Sequence, residues 1–383
     1  MLKHAVLLAL FAVTLVPLGA SAQRKSASSA PRAQTPARSA RIPSRARKIT
    51  TYLNPIFDED FPDPTVMRAS DNYFYAYATQ TDRASGMINI QVARSQDLVS
   101  WTHLGDALRV KPVWAKTTQK LWAPHVAEHD GKFYMYYSAD PDTQTGLCLA
   151  VAIADNPSGP FTDKGSPLMC GEGFINIDPM SFDDPRTGKR LLYWGSGFAP
   201  IKVQELALDR INFMPGSRPI DLIAPIKTED LTIYQRLVEG AWVSYRAPYY
   251  YLYYSGDNCC GEKAHYAVMA ARSRSATGPF ETFAAATKRE QSVILERKDF
   301  WIAPGHNSII RDDAGQDWIF YHAINPRRRT FGGVTGDRDV RRVMLADPIV
   351  YRDGFPRVAG DRPSTARRRA PFVRRISGAG RVR

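Results

Sequence analysis

Only four cysteines occur in 383 residues. That is too few for a small disulfide-stapled scaffold, and no Cys-x-x-Cys pair offers the spacing of a structural zinc site. Past residue 22 no apolar run is long enough to cross a bilayer as a helix. Apolar residues at helical spacing are scarce, which speaks against a helical fold. Both ends lack acidic residues: residues 1–48 and 362–383 contain no Asp or Glu but seventeen Lys and Arg. The whole chain carries a formal +13, so residues 49–361 sum to −4. A mildly acidic middle does not attract a phosphate backbone, and no nucleic-acid partner is expected. What remains is ordinary globular material. Hydrophobic residues make up 44% of the chain and aromatics 11%, enough for one large domain or two ordinary ones.

Residues 1–22 read as a secretory signal. Lys3 and His4 make a short positive start, residues 5–18 are apolar, and Ala20-Ser21-Ala22 is a small-residue cleavage site. No Cys follows, which speaks against a lipid anchor there; an uncleaved membrane anchor is the alternative. Export places the mature chain in an oxidising compartment, secreted or periplasmic. Residues 23–48 hold almost no large apolar side chain and read as a disordered basic linker. Residues 362–383 read as a disordered Arg-rich tail. Both could contact polyanions, although a solvated charge run is the plainer reading. The folded part is then residues 49–361.

That middle repeats itself. Five aromatic runs recur: Tyr73-Phe74-Tyr75-Ala76-Tyr77, Phe133-Tyr134-Met135-Tyr136-Tyr137, Leu191-Leu192-Tyr193-Trp194, residues 249–254 (five Tyr and Leu252), and Trp318-Ile319-Phe320-Tyr321-His322. Each is short and bounded by Gly, Asp, Asn or Ser, the mark of strands. Turns such as His129-Asp130-Gly131 and Asp313-Ala314-Gly315 precede most of them. Two copies continue into a Gly-Pro-Phe loop, Ser158-Gly159-Pro160-Phe161 and Thr277-Gly278-Pro279-Phe280. A unit of three or four antiparallel strands repeated five times predicts an all-β fold, a five-bladed β-propeller. A β-sandwich, the alternative, does not explain the matched order of motifs.

In a propeller the innermost strands start at one channel mouth. Aligned on the aromatic runs, those starts are Phe61-Pro62-Asp63-Pro64, Trp122-Ala123-Pro124-His125, Asn176-Ile177-Asp178-Pro179, Val238-Glu239-Gly240-Ala241-Trp242 and Gly305-His306-Asn307-Ser308. Any one of the three carboxylates alone reads as turn chemistry. All three in register are a different matter: carboxylates gathered in a cleft push their pKa values apart, giving one neutral acid and one ionised base. Hydrolysis of a glycosidic bond needs that pair.

These motifs resemble glycoside hydrolase family 43, the five-bladed propeller arabinanases, arabinofuranosidases and β-xylosidases, over about residues 53–358. The resemblance implies an inverting hydrolase acting on a plant-type polysaccharide or oligosaccharide such as arabinan or xylan. It implies Asp63 as general base, Glu239 as general acid and Asp178 as the residue that orients the acid and raises its pKa. Arg342 resembles a blade-five arginine that contacts substrate or the base. His306 resembles a histidine that sits on calcium or another ion in the channel; by itself it reads equally as structural. No cofactor is required for the chemistry. His125 stands where the family usually has Asp, and could touch a sugar. Trp122, Phe174 and Trp194, with Trp242, lie within a few residues of the channel mouth and suit aromatic sugar platforms. Cys259-Cys260 resembles a Cys-Cys stretch of endo-arabinanases, which favours an arabinan endo-1,5-α-L-arabinosidase-like activity. The rivals are an exo-acting β-xylosidase or arabinofuranosidase and a non-catalytic sugar-binding propeller. Endo against exo depends on whether insertions at residues 108–120 and 327–338 wall off the cleft. Cys148 and Cys170 could bridge within blade two; Cys259 and Cys260 could form a vicinal disulfide or remain free thiols. The chain is expected to be monomeric.

Overall fold

The computed structural model describes residues 50–374, except 84–85, 119, 144–145, 196 and 331–339. The signal and linker expectations lie outside the described residues, as does most of the 327–338 insertion. The described chain forms five antiparallel sheets in sequence order, the blades of a propeller. The five aromatic runs are the second strands: Phe74–Ala78, Lys132–Ala139, Arg190–Trp194, Tyr249–Asn258 and Asp317–Ile324. Each pairs on one side with an innermost strand, respectively Thr65–Arg68, Leu121–His129, Met180–Asp183, Val238–Arg246 and Ile302–Arg311, and on the other with a third strand. A sandwich would stack two sheets face to face; here five sheets each take up one consecutive stretch of chain.

Both faces of a blade are covered by neighbouring blades, so second strands lose the usual in–out alternation. All five residues of Phe74–Ala78 are buried. Buried tyrosine hydroxyls need partners, and two of them find these on the next blade. The Tyr77 hydroxyl donates to the carbonyl of Pro157 at 2.5 Å and the Tyr193 hydroxyl to that of Ala276 at 2.7 Å. Both acceptors open the repeated Gly-Pro-Phe loops. The recurrence of that loop in sequence is therefore a docking device between consecutive blades.

The C-terminal segment departs from expectation. Residues 362–374 are not a disordered tail. Arg368–Arg369 pairs antiparallel with Thr51–Tyr52. The Ser364 N–H donates to Asp347 Oδ2 at 3.1 Å and its hydroxyl accepts from Asn54 Nδ2 at 3.0 Å. Ala370 and Val373 pack on the cluster of Tyr52, Phe57 and Trp318. Arginine-rich composition hid this because the fixing groups are backbone amides and small side chains, and the partners at Thr51, Tyr52 and Asn54 lie about 310 residues away. A chain ending at Asp361 strips Asp347 of these donors and opens the cluster. It is expected to lose about 2 kcal/mol or more, lowering Tm by roughly 2–6 °C in scanning calorimetry. An unchanged Tm would contradict the clasp.

Candidate active site

Each innermost strand is entered through one residue in the left-handed region. These are Asp63 (φ 55°), Ala123 (45°), Asp178 (56°), Gly240 (61°) and His306 (48°). Asp, His and Gly tolerate that conformation best, whereas Ala123 costs roughly 1–2 kcal/mol. What holds the ring is a hydrogen bond from each of these N–H groups to the preceding blade. Ala123 donates to Thr79 Oγ1 (2.8 Å), Asp178 to Ser138 Oγ (2.9 Å), His306 to Ser255 Oγ (2.8 Å) and Asp63 to His322 Nδ1 (3.1 Å). Blade three has Gly195 at the corresponding place, with no side chain to offer. There the Asp178 carboxylate itself accepts the Gly240 N–H at 2.9 Å. Asp178 is thereby locked beside the residue that follows Glu239. The five-fold repeat also places Glu239 one residue before the turn residue, unlike Asp63 and Asp178, which occupy the turn.

Asp63, Asp178, Glu239, His306 and Arg342 line one cleft of about 2200 Å³. Asp63 accepts from Arg342 Nη1 at 2.9 Å and from the Thr79 hydroxyl at 2.6 Å. His306 Nδ1 stands 3.5 Å from Asp63 Oδ1 and 3.8 Å from Asp178 Oδ2. Burial pushes the Asp63 carboxyl up, but Arg342, His306 and His322 together outweigh it and hold the group well below the usual carboxylate range. Burial first, then the charges of Glu239 and Asp63, push Asp178 well above that range. Burial pushes Glu239 up to about 7, with Asp63 adding to the rise and the Tyr266 hydroxyl and Arg342 opposing it. Asp178 and Glu239 resist ionising together, so the pair retains a proton at neutral pH. One cleft therefore holds a carboxylate kept charged and a carboxyl kept protonated, the requirement for general base and general acid.

Of the aromatic candidates, Trp122 and Phe174 line the cleft and stack in parallel, centroids 6.1 Å apart at 5°. Trp194 does not reach it. It is fully buried, and its Nε1 donates to Asn176 Oδ1 at 3.1 Å, bracing the Asp178 turn from beneath. His125 is likewise no sugar contact. It is buried in the channel, within 3.3 Å of the Ser181 N and Oγ of blade three and edge-on to Trp242 of blade four. Burial drops its pKa to about 3, so it stays neutral. Position explains this: two residues past the turn at Ala123, the side chain lies below the mouth, against the innermost strands of blades three and four.

Two residues at the site escaped sequence reading, Tyr266 behind Glu239 and Phe198 on the rim. Tyr266 donates to Glu239 Oε1 at 2.6 Å from the third strand of its blade. Phe198, 82% exposed, joins Phe174 on the rim through Gly197, where a Cβ would lie 3.8 Å from that of Phe174. Both cysteine pairs are bridged, Cys148–Cys170 and Cys259–Cys260, so no free thiol remains. The Cys259–Cys260 bridge lines the cleft. Among the described residues no group of three or more His, Cys, Asp and Glu is gathered as a metal site. His306 supplies a single imidazole there, which does not fit an ion held directly by protein groups.

The model of "Glycosyl hydrolases family 43" matches residues 52–356. A protein of Emericella nidulans named "Probable arabinan endo-1,5-alpha-L-arabinosidase D" is 30% identical over 329 residues, 77% of this chain and 79% of that protein. The "Extracellular exo-alpha-(1->5)-L-arabinofuranosidase ArbA" of Cellvibrio japonicus is 26% identical over 290 residues, 69% of this chain and 79% of its own length. Among solved structures, a thermostable family-43 glycoside hydrolase superposes with a TM-score of 0.66 at 25% identity, covering 85% of this chain and all of the other.

Proposed function

Because the chain belongs to glycosyl hydrolase family 43, we propose that it cleaves α-L-arabinofuranosyl linkages of arabinan, internally and with inversion. The observation that supports this most is the split in protonation within one cleft: Asp63 is held ionised while Glu239 is held protonated near neutral pH. In the reaction, Asp63 takes a proton from water as the water oxygen attacks the anomeric carbon. The bond to the leaving oxygen breaks, and Glu239 gives that oxygen its proton. Asp178, fixed by the Gly240 N–H, keeps the acid from ionising early. Arg342 holds the base charged and aimed. Solvent then returns Asp63 and Glu239 to their starting states. Protein groups carry this chemistry.

Internal cleavage is favoured by the cleft volume of about 2200 Å³, well above the roughly 300–1000 Å³ of a small-molecule pocket. It is lined by Trp122 and Phe174 from blades two and three and by Cys259–Cys260 from blade four. The relative named as exo-acting keeps the exo reading as the second one. We also infer export, on the residue 1–22 pattern and the relative named extracellular; N-terminal sequencing of exported protein is expected to begin at Gln23.

Product analysis tests the reading. Linear arabinan is expected to yield mixed oligosaccharides, whose newly formed reducing ends appear first as the β-anomer in time-resolved proton NMR. Arabinose alone moves the assignment to exo action. A first-formed α-anomer overturns inversion, and xylo-oligosaccharide release without arabinan cleavage overturns the substrate.

A further inference from the structure

We propose that Tyr266 is a positioning residue, a wedge that together with His322 sets the gap between the acid Glu239 and the base Asp63, and that Gly305 is glycine to admit it. The proposal rests on the roles just assigned to those two carboxylates.

A continuous path joins them. The Tyr266 hydroxyl donates to Glu239 Oε1 at 2.6 Å. Its ring lies flat on the His322 imidazole, centroids 5.7 Å apart and 4° from parallel. His322 Nδ1 accepts the Asp63 N–H at 3.1 Å. Both rings are buried, with Tyr266 1% exposed and the His322 side chain not at all. Each aromatic ring has two side-chain torsions and no lateral room, so the pair acts as a spacer of fixed thickness. Inversion depends on such a spacer, because the two carboxyl groups must stand apart by the width of the sugar and one water.

Gly305 supplies the space. It pairs with His322 across the blade-five strands. A Cβ on it would fall 2.1 Å and 2.3 Å from Tyr266 Cδ1 and Cε1. Gly305 is absent from the positive-φ glycines; the need is for volume, not for a left-handed backbone. Burial and the Glu239 charge raise the Tyr266 phenol well above its ordinary value, so it remains a donor across the working pH range. The other charged groups acting on Glu239 are Asp63, Asp178, Asp257 and Arg342.

Two variants separate the wedge from a merely structural tyrosine. Tyr266→Phe keeps the ring and removes the donor that favours ionised Glu239. The alkaline limb of kcat/KM is expected to move to higher pH. The kcat on arabino-oligosaccharides is expected to fall about 10-fold with KM little changed, while aryl arabinofuranosides with good leaving groups keep their rate. Gly305→Ala displaces the ring and hence both carboxylates, so kcat is expected to drop about 100-fold on both substrate types. Crystal structures of wild type and Gly305→Ala are expected to differ by about 1 Å in the Asp63–Glu239 carboxylate gap. A superimposable pH profile in Tyr266→Phe, or an unchanged gap in Gly305→Ala, overturns the proposal. If wild type cleaves no arabinan, the substrate assignment fails, while the crystallographic gap still decides the wedge.

Discussion

Asp63→Asn is expected to lower kcat on arabino-oligosaccharides by about 10³-fold or more, with KM changed little. The side chain keeps its shape and its room between Arg342 and Thr79, so substrate binding survives. What disappears is a carboxylate held ionised against burial. General-base loss is worth about 10²–10⁴ in rate. The amide also leaves the Arg342 charge, whose side chain is 14% exposed, without its anion, which disfavours the developing positive charge on the sugar. The loss is expected to be similar for good and poor leaving groups, because attack by the activated water belongs to the same displacement whichever group departs. Azide, a nucleophile that needs no base, is expected to restore part of the turnover with a glycosyl azide as product. Comparable rates in wild type and Asp63→Asn would remove Asp63 from the chemistry.

Glu239→Gln behaves differently, and that contrast identifies the acid. On arabino-oligosaccharides, whose leaving oxygen must be protonated, kcat is expected to fall about 10³-fold. On aryl arabinofuranosides with acidic phenols the fall is expected to be under about 10-fold, since such groups leave as anions. The pH profile supplies a second reading. Glu239 acts only while it carries its proton, and burial raises its pKa to about 7. Wild-type kcat/KM should therefore decline as pH rises through about 7. Asp63 acts only when ionised, and because its pKa is held well below the usual range, activity on the acid side should persist until strongly acidic pH. Glu239→Gln is expected to lose the alkaline limb altogether. A limb that stays in place assigns the titration to another group, with Asp178 the nearest candidate.

The residues expected at the channel mouth that the structure gathers into the cleft differ in a systematic way from those it does not. Asp63, Asp178 and Glu239 were found because each sits in a short motif at the start of a repeated unit, and the structure brings all three to one cleft. His125 and Trp194 lie just as close to those motifs, yet both face inward. Proximity in sequence does not say which face of a strand a side chain takes once a turn has inserted a left-handed residue. Tyr266 and His322 had no motif at all. His322 appeared in sequence only as the end of an aromatic run and Tyr266 not at all, and packing between blades four and five turns them toward Asp63 and Glu239.

The sequence by itself determined the repeat, the strand-rich fold and the identity of the three carboxylates. Those properties are local: strand composition, turn residues and short motifs act over a few neighbours. Tertiary structure alone decided that residues 362–374 form a clasp, that Gly195 leaves Asp178 to accept the Gly240 N–H, and that the proton resides with Glu239 and Asp178 and not with Asp63. The last depends on burial and on charges brought together from residues 63, 178, 239, 306 and 342. Electrostatic energy varies with distance through space, and folding sets that distance independently of separation along the chain.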